Sequence, residues 1–178
     1  MKYYIIAGEA SGDLHGSNLM RGLYARDPEA EIRFWGGDLM NGVYMDNEGN
    51  ASRQGVHGGD GKSGGLVHHY REGAVMGVWE VIRKGGSLLK NVRECKEDIL
   101  AYDPDVIILI DYPGFNFRIA EFAHGKGMKV FYYIAPKVWA SREGRIRKLK
   151  AFVDKLFIVF PFEIQYFRAK GVDFIYKG

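Results

Sequence analysis

Two rhythms of apolar residues alternate along this chain. Tyr3-Tyr4-Ile5-Ile6-Ala7 is a short unbroken apolar run, the length and type of a buried parallel strand. It breaks at Gly8, Gly12 follows, and beyond Asp13 Leu19, Met20, Leu23 and Tyr24 recur at helical spacing. Asp27-Pro28 ends that segment. Ile32–Trp35 reads as a second strand stopped by Gly36-Gly37, and Asp38-Leu39-Met40 as a short helix. Residues 41–65 are rich in Gly, Asn, Asp and Ser with few apolar anchors. Such a stretch cannot offset the entropy of ordering it, so a mobile insert is expected there. Leu66–Tyr70 predicts a third strand, with His68 and His69 near its end on opposite faces. Val75–Tyr102 is helical in pattern, and Gly85-Gly86 divides it into two helices. Asp105–Ile110 is the clearest buried strand and a helix follows from Phe115. Lys129–Ile134 is the next strand, and Ser141–Lys150 a helix with Ile146, Leu149 and Val153 on its inner stripe. Lys155–Phe160 is a further strand, a helix runs from Pro161 to about Lys170, and Val172–Tyr176 is the last strand. Strand and helix alternate throughout. The predicted fold is α/β: a doubly wound, mainly parallel sheet of about seven strands with helices on both faces.

Composition narrows this picture a little. The 178 residues, 47% of them hydrophobic, suit one domain with an ample core. A formal charge of +3 gives no argument for nucleic acid. The single cysteine, Cys95, excludes an internal disulfide and fits a reducing compartment, and its helical setting makes it a packing residue. The first strand begins without a signal-like leader, and no stretch approaches the roughly 20 apolar residues of a membrane span. A cytoplasmic protein is expected, soluble or bound at a membrane surface.

In doubly wound sheets ligands sit at the carboxyl ends of the strands, which directs attention to two turns. The first, at Gly8, reads Gly8-x-x-x-Gly12-x-x-x-Gly16. It is neither the G-x-G-x-x-G dinucleotide fingerprint nor a Walker loop, which closes on Gly-Lys-Ser/Thr. Glu9 and Asp13 flank it, an arrangement suited to hydroxyls, as on a sugar, better than to phosphate. Ser11 or Asp13 can cap the following helix, and a plainly capped turn is the structural alternative. The second turn begins at Asp111, directly after the last apolar residue of its strand. A carboxylate there, half covered by Tyr112 and Phe115, could hold a raised pKa and accept a hydroxyl proton. The alternative is a helix cap or an ion-pair partner.

Two further stretches carry chemistry. Met76, Val78, Trp79, Val81 and Ile82 are apolar nearly all round a helix and run straight into Arg83 and Lys84. This is a core helix, or an apolar patch beside cations suited to an anionic membrane surface or to acyl chains. Arg145, Arg147 and Lys148 belong to a basic helix whose charges point outward, a solvated face or an attractor of phosphate and anionic head groups. The acidic fragments within 41–65 do not match a calcium loop, so no metal is expected.

Five blocks in order resemble one family: Gly8-Glu9-Ala10-Ser11-Gly12-Asp13, Met76-Gly77-x-x-Glu80-Val81, Asp111-Tyr112-Pro113-Gly114-Phe115-Asn116, Pro136-Lys137-Val138-Trp139-Ala140 and Pro161-Phe162-Glu163. They are similar to the signatures of lipid-A-disaccharide synthases, two-domain glycosyltransferases of the GT-B type. The resemblance spans nearly the whole chain except the insert. It implies a Rossmann-like N-terminal, acceptor-side domain over 1–178, with the nucleotide-sugar domain absent, so that this chain alone would be inactive. It implies inverting transfer of diacylglucosamine from a UDP-sugar donor to an acylated glucosamine phosphate acceptor, with no metal or other cofactor and no nucleic acid. It also implies a cytoplasmic position on the inner face of the bacterial inner membrane. On this resemblance Asp111 is the general base, and Glu9 and Ser11 bind sugar hydroxyls or orient it. Gly8, Gly12, Asp13 and Asn116 support the site, Met76 and Trp79 meet the acyl chains, and Arg83, Lys84, Arg145, Arg147 and Lys148 meet the anionic surface. Two positions depart from the family pattern: Ala135 stands where Ser is usual, and Ser141 where Trp is usual. Two other classes stay open, a non-catalytic lipid- or membrane-binding module and an ordinary nucleotide-binding domain.

Overall fold

The computed structural model describes residues 1–48, 63–73, 80–135 and 144–176. Its elements follow in order: β1 (Lys2–Ala7), α1 (Ala10–Tyr24), β2 (Glu31–Gly36), α2 (Asp38–Glu48), β3 (Gly65–His69), a 3₁₀ turn (Tyr70–Gly73), α3 (Glu80–Tyr102), β4 (Val106–Ile110), α4 (Pro113–Gly125), β5 (Lys129–Tyr133), α5 (Gly144–Phe152), β6 (Lys155–Ile158), α6 (Pro161–Ala169) and β7 (Ile175–Tyr176). The seven strands form one sheet in the order β3-β2-β1-β4-β5-β6-β7, and the paired strands run parallel. This is the doubly wound order, with its reversal between β1 and β4.

Alternation along the central strands divides the core in two. Tyr3, Ile5 and Ala7 of β1 join Met20 and Tyr24 of α1 and Met40 and Val43 of α2 in one cluster. Tyr4 and Ile6 join Cys95 and Ile99 of α3, Phe115 and Ile119 of α4, Ile146 and Leu149 of α5 and Phe167 of α6 in the other. Both faces of β1 and β4 are thereby covered, which is why their sequences run apolar without a break.

Several expected boundaries are corrected. The helix expected over 38–40 continues to Glu48, eight residues into the stretch expected to be mobile. Met40 and Val43 bury there and Tyr44 packs against Phe34, so apolar anchors, few as they are, recur at helical spacing. The rest of that stretch falls largely outside the described residues. Gly85-Gly86 does not divide the next helix: α3 runs unbroken from Glu80 to Tyr102. Two interior glycines cost a helix about 1 kcal/mol each, and the anchored turns carrying Val92, Cys95, Ile99 and Tyr102 outweigh that. Helix α4 starts at Pro113 rather than Phe115, because proline suits the first helical position. Strand β6 stops at Ile158, and Phe160 instead caps α6: its N–H donates to Glu163 Oε2 at 3.1 Å while Glu163 N–H donates to its carbonyl at 3.1 Å. The last strand shrinks to Ile175–Tyr176.

One charge lies where the strand pattern gives no hint of it. Arg33 of β2 is 1% exposed and forks onto Asp98 of α3, with Nε to Oδ2 at 2.8 Å and Nη2 to Oδ1 at 2.6 Å, while Nη1 reaches the Ser63 carbonyl at 2.7 Å. Tyr4 Oη donates to the same carboxylate at 2.7 Å and in turn accepts Trp35 Nε1–H at 3.0 Å. The network ties α3 to β1 and β2. Burial also pushes the Cys95 thiol far up from its ordinary value, in keeping with a packing role. Removing one partner of a buried ion pair leaves the other uncompensated, at about 3–5 kcal/mol. Asp98→Ala is therefore expected to lower the unfolding free energy by about 3 kcal/mol or more in urea titration. A change below about 1 kcal/mol, the level of an exposed pair, would contradict this account of the network.

Candidate active site

The pairing of β1 with β4 brings the two candidate turns together. Their register runs from Tyr3↔Val106 to Ala7↔Ile110, so both strands end level and the chain leaves them as Gly8 and Asp111. Neighbouring parallel strands lie about 4.8 Å apart, so these two exits share one rim of the sheet, at the reversal of strand order. Contact follows. The Tyr112 ring lies against the Cα of Gly8, where an added Cβ would come within 2.3 Å of the ring. Gly12 sits over β1, where a Cβ would come within 3.2 Å of Ala7 Cβ, so its absence lets α1 lie close on the strand. Burial, with the nearby Glu9 charge adding to it, raises the Tyr112 phenol above its ordinary pKa.

Asp111 stands at the end of β4, half-buried, and its backbone is unusual. Asp111 and Tyr112 have φ of 43° and 44° in succession, the left-handed region that non-glycine residues enter at a cost of about 1–3 kcal/mol each. This pair ends the strand and enters α4 at once. Fully buried Asn116 ties the bend down: its Nδ2 donates to the carbonyls of Ile110 at 3.2 Å and Asp111 at 2.8 Å. Tyr132 Oη donates to the Asp111 carbonyl as well. The Tyr112 ring stacks on Phe115 with centroids 5.6 Å apart, and Phe115 lies 5.3 Å from Trp35, so an aromatic shelf underlies the rim.

Around the first turn the expectation needs correcting. Glu9 holds the N-cap position of α1 without a side-chain bond, so neither Ser11 nor Asp13 caps that helix. Glu9 and Ser11 are exposed. Asp13 turns inward, 2% exposed, and caps the neighbouring helix instead. Its Oδ1 accepts the N–H groups of Gly37 at 2.8 Å and Met40 at 3.0 Å, and Oδ2 accepts Leu39 N–H at 3.1 Å. A negative charge at the N-terminus of α2 also meets the positive end of its dipole. The carboxylate read as a hydroxyl ligand is thus occupied in locking α2 to α1.

The remaining predicted site residues divide by location. Arg145 is partly exposed and Arg147 and Lys148 are exposed on α5, whose buried face is Ile146 and Leu149. Arg83 and Lys84 lie in the first turns of α3, whose side chains are not described, and Met76 and Trp79 fall outside the described residues. The two histidines do separate: His68 packs its ring 4.4 Å from Trp35, while His69 Nε2 lies 3.2 Å from Asp38 Oδ1. His69 Nδ1 accepts the Arg71 N–H at 3.1 Å, and Arg71 Nη1 reaches Asp38 Oδ2 at 3.0 Å. This cluster at the ends of β2 and β3, with the Tyr70 ring against Gly37, is one that motif reading did not find, and neither did it find Tyr132. For Tyr132 a weak signal exists, since a tyrosine inside a buried strand must find a partner for its hydroxyl. For Asp38, His69 and Arg71 only the strand register brings them together. Among the described residues no group of three or more His, Cys, Asp or Glu is arranged to hold a metal ion.

Comparison with known proteins follows the same lines. The family model for lipid-A-disaccharide synthetase matches residues 3–178. The chain is similar to lipid-A-disaccharide synthases of Geobacter metallireducens, at 38% identity over 174 residues, and of Syntrophus aciditrophicus, at 39% over 174 residues. Each alignment covers 98% of this chain and 40% of the relative, so the chain spans about two fifths of the length of these relatives. Among solved structures it resembles a UDP-GlcNAc 2-epimerase from Neisseria meningitidis bound to UDP-GlcNAc, with a TM-score of 0.63 at 9% identity, covering 100% of this chain and 46% of that one. That likeness concerns the fold. With its cap over three backbone N–H groups, Asp13 is expected to act on stability: Asp13→Ala should lower the unfolding free energy by about 2–3 kcal/mol. An unchanged urea midpoint would contradict the assignment.

Proposed function

Because the chain belongs to the lipid-A-disaccharide synthetase family, we propose that it is the acceptor-side part of an inverting glycosyltransferase. The reaction moves diacylglucosamine from a UDP donor to the 6-hydroxyl of a diacylglucosamine 1-phosphate acceptor. The observation that carries this reading is the level ending of β1 and β4, which sets the Gly8 turn and Asp111 side by side on the ligand-binding rim. A carboxylate fixed there can take the proton of an incoming hydroxyl. The hydroxyl oxygen attacks the anomeric carbon from the face opposite the diphosphate, the carbon–oxygen bond to the diphosphate breaks, and UDP leaves with its electron pair. The proton on Asp111 then passes to solvent. Exposed Glu9 and Ser11 hydrogen-bond the sugar hydroxyls beside it, and Asn116 fixes the main chain that carries the base. Asp13 serves from behind, by holding α2.

The donor diphosphate is left to the part of the relatives that this chain does not span, so the chain alone binds acceptor without transferring to it. Outward cations of α5, with Arg83 and Lys84 of α3 and the apolar Met76–Ile82 stretch, would hold the protein against an anionic membrane surface where an acylated acceptor resides. No helix of the described residues is long and apolar enough to cross a membrane.

The test joins this chain to the remaining three fifths of the Geobacter metallireducens relative. The purified 178-residue chain is expected to form no disaccharide and the joined protein to form it. Asp111→Asn in the joined protein should lower turnover by about 10²–10⁴-fold, the usual contribution of a general base, while acceptor binding is kept. Disaccharide formation by the chain alone, or full turnover by the Asp111→Asn protein, would refute the reading.

A further inference from the structure

We propose that Tyr132 is a positioning residue for the candidate base: with Asn116 it holds the main chain of Asp111 in the left-handed conformation and thereby sets the direction of the carboxylate. This rests on the reading of Asp111 as the base, but the geometry is independent of it. Consecutive positive φ angles at Asp111 and Tyr112 persist only where the surroundings over-determine them. Here the determinants can be named. The Asp111 carbonyl takes two side-chain donors, Tyr132 Oη from the neighbouring strand β5 and Asn116 Nδ2 from the first turn of α4. Asn116 also holds the Ile110 carbonyl, and the Tyr112 carbonyl accepts Asn116 N–H at 3.0 Å. Tyr132 and Asn116 are both 0% exposed, so water does not compete for the two donor groups.

Tyr132 is suited to the task. Its ring is locked against Phe117, with centroids 5.7 Å apart, and the Leu109↔Tyr132 register places it beside the end of β4. Burial, and then the Asp111 charge, drives its phenol well above the ordinary value, so the hydroxyl keeps its proton and remains a donor through the working range. Nothing in the five family-like blocks contains it. Its role is visible only through the strand register.

The test uses the full chain. In Tyr132→Phe the ring still fills its place and only the donor is lost. One-bond Cα–Hα couplings, which report the sign of φ, are measured at residues 111 and 112 by NMR, with thermal unfolding recorded in parallel. The expected result is a folded protein whose couplings at both residues shift toward negative φ. Asn116→Ala, which removes the other donor, should shift them in the same sense, and the two variants serve as independent tests should one fail to fold. Phe117→Leu loosens the ring contact without touching the carbonyl, and should lower stability with both couplings unchanged. Wild-type couplings in Tyr132→Phe, or an equal shift in Phe117→Leu, would overturn the proposal. In the joined protein, Tyr132→Phe should reduce kcat by about tenfold to a hundredfold with KM unchanged, and should have no further effect once Asp111→Asn is present. A raised KM at unchanged kcat would overturn it too. If Asp111→Asn keeps full turnover while the couplings still shift, the base assignment fails and the positioning of the backbone stands.

Discussion

Everything at the rim follows from the in-register parallel pairing of β1 with β4. The crossovers that leave these two strands go to opposite sides, α1 toward β2 and α4 toward β5. A crevice must open between them, and whatever ends each strand must face it. Ala7 and Ile110 pair directly, so a slip of one residue would turn every β1 side chain to the other face and dissolve both halves of the core. The Gly8 turn and Asp111 are therefore neighbours as firmly as the core itself is packed.

Around that crevice, polar groups act as fasteners. Asp13 belongs to the most recognisable motif of the chain, yet its carboxylate is wholly engaged with the N-terminus of α2. Asn116 belongs to the second recognisable motif, and its amide is spent on two carbonyls of the strand end. Each motif thus pairs an acid at a strand exit, exposed Glu9 or half-buried Asp111, with a buried polar residue of the same block that fixes the local backbone. The strained bend at Asp111 and Tyr112 is supported from three directions: the carbonyl donors, the aromatic shelf of Tyr112, Phe115 and Trp35, and the open Cα of Gly8. Folding energy from the rest of the domain offsets the cost of holding it.

The sheet was largely legible in the sequence, because unbroken apolar runs such as Val106–Ile110 have few other uses. The doubly wound class and the position of Asp111 after its strand followed directly. The misreadings have physical causes. Taken as one stretch rich in Gly, Asn, Asp and Ser, residues 41–65 look mobile, yet over 41–48 Met40, Val43 and one distant carboxylate suffice to hold a helix. A glycine pair looked like a break at Gly85-Gly86, where the anchored turns beyond it carry the helix through. Asp13 looked like a local cap because capping is read along the chain, while its partners lie 24 to 27 positions away. Arg33 with Asp98, and Tyr132 with Asp111, depend on strand register and helix docking, which periodicity does not encode.

The most direct measurement is a crystal structure of this chain with glucosamine 1-phosphate, the water-soluble head of the proposed acceptor. The account predicts the sugar on the rim between the Gly8 turn and the end of β4, with its 6-hydroxyl oxygen about 2.6–3.2 Å from an Asp111 carboxylate oxygen. A sugar bound away from that rim, or one whose 6-hydroxyl faces away from Asp111, would contradict it.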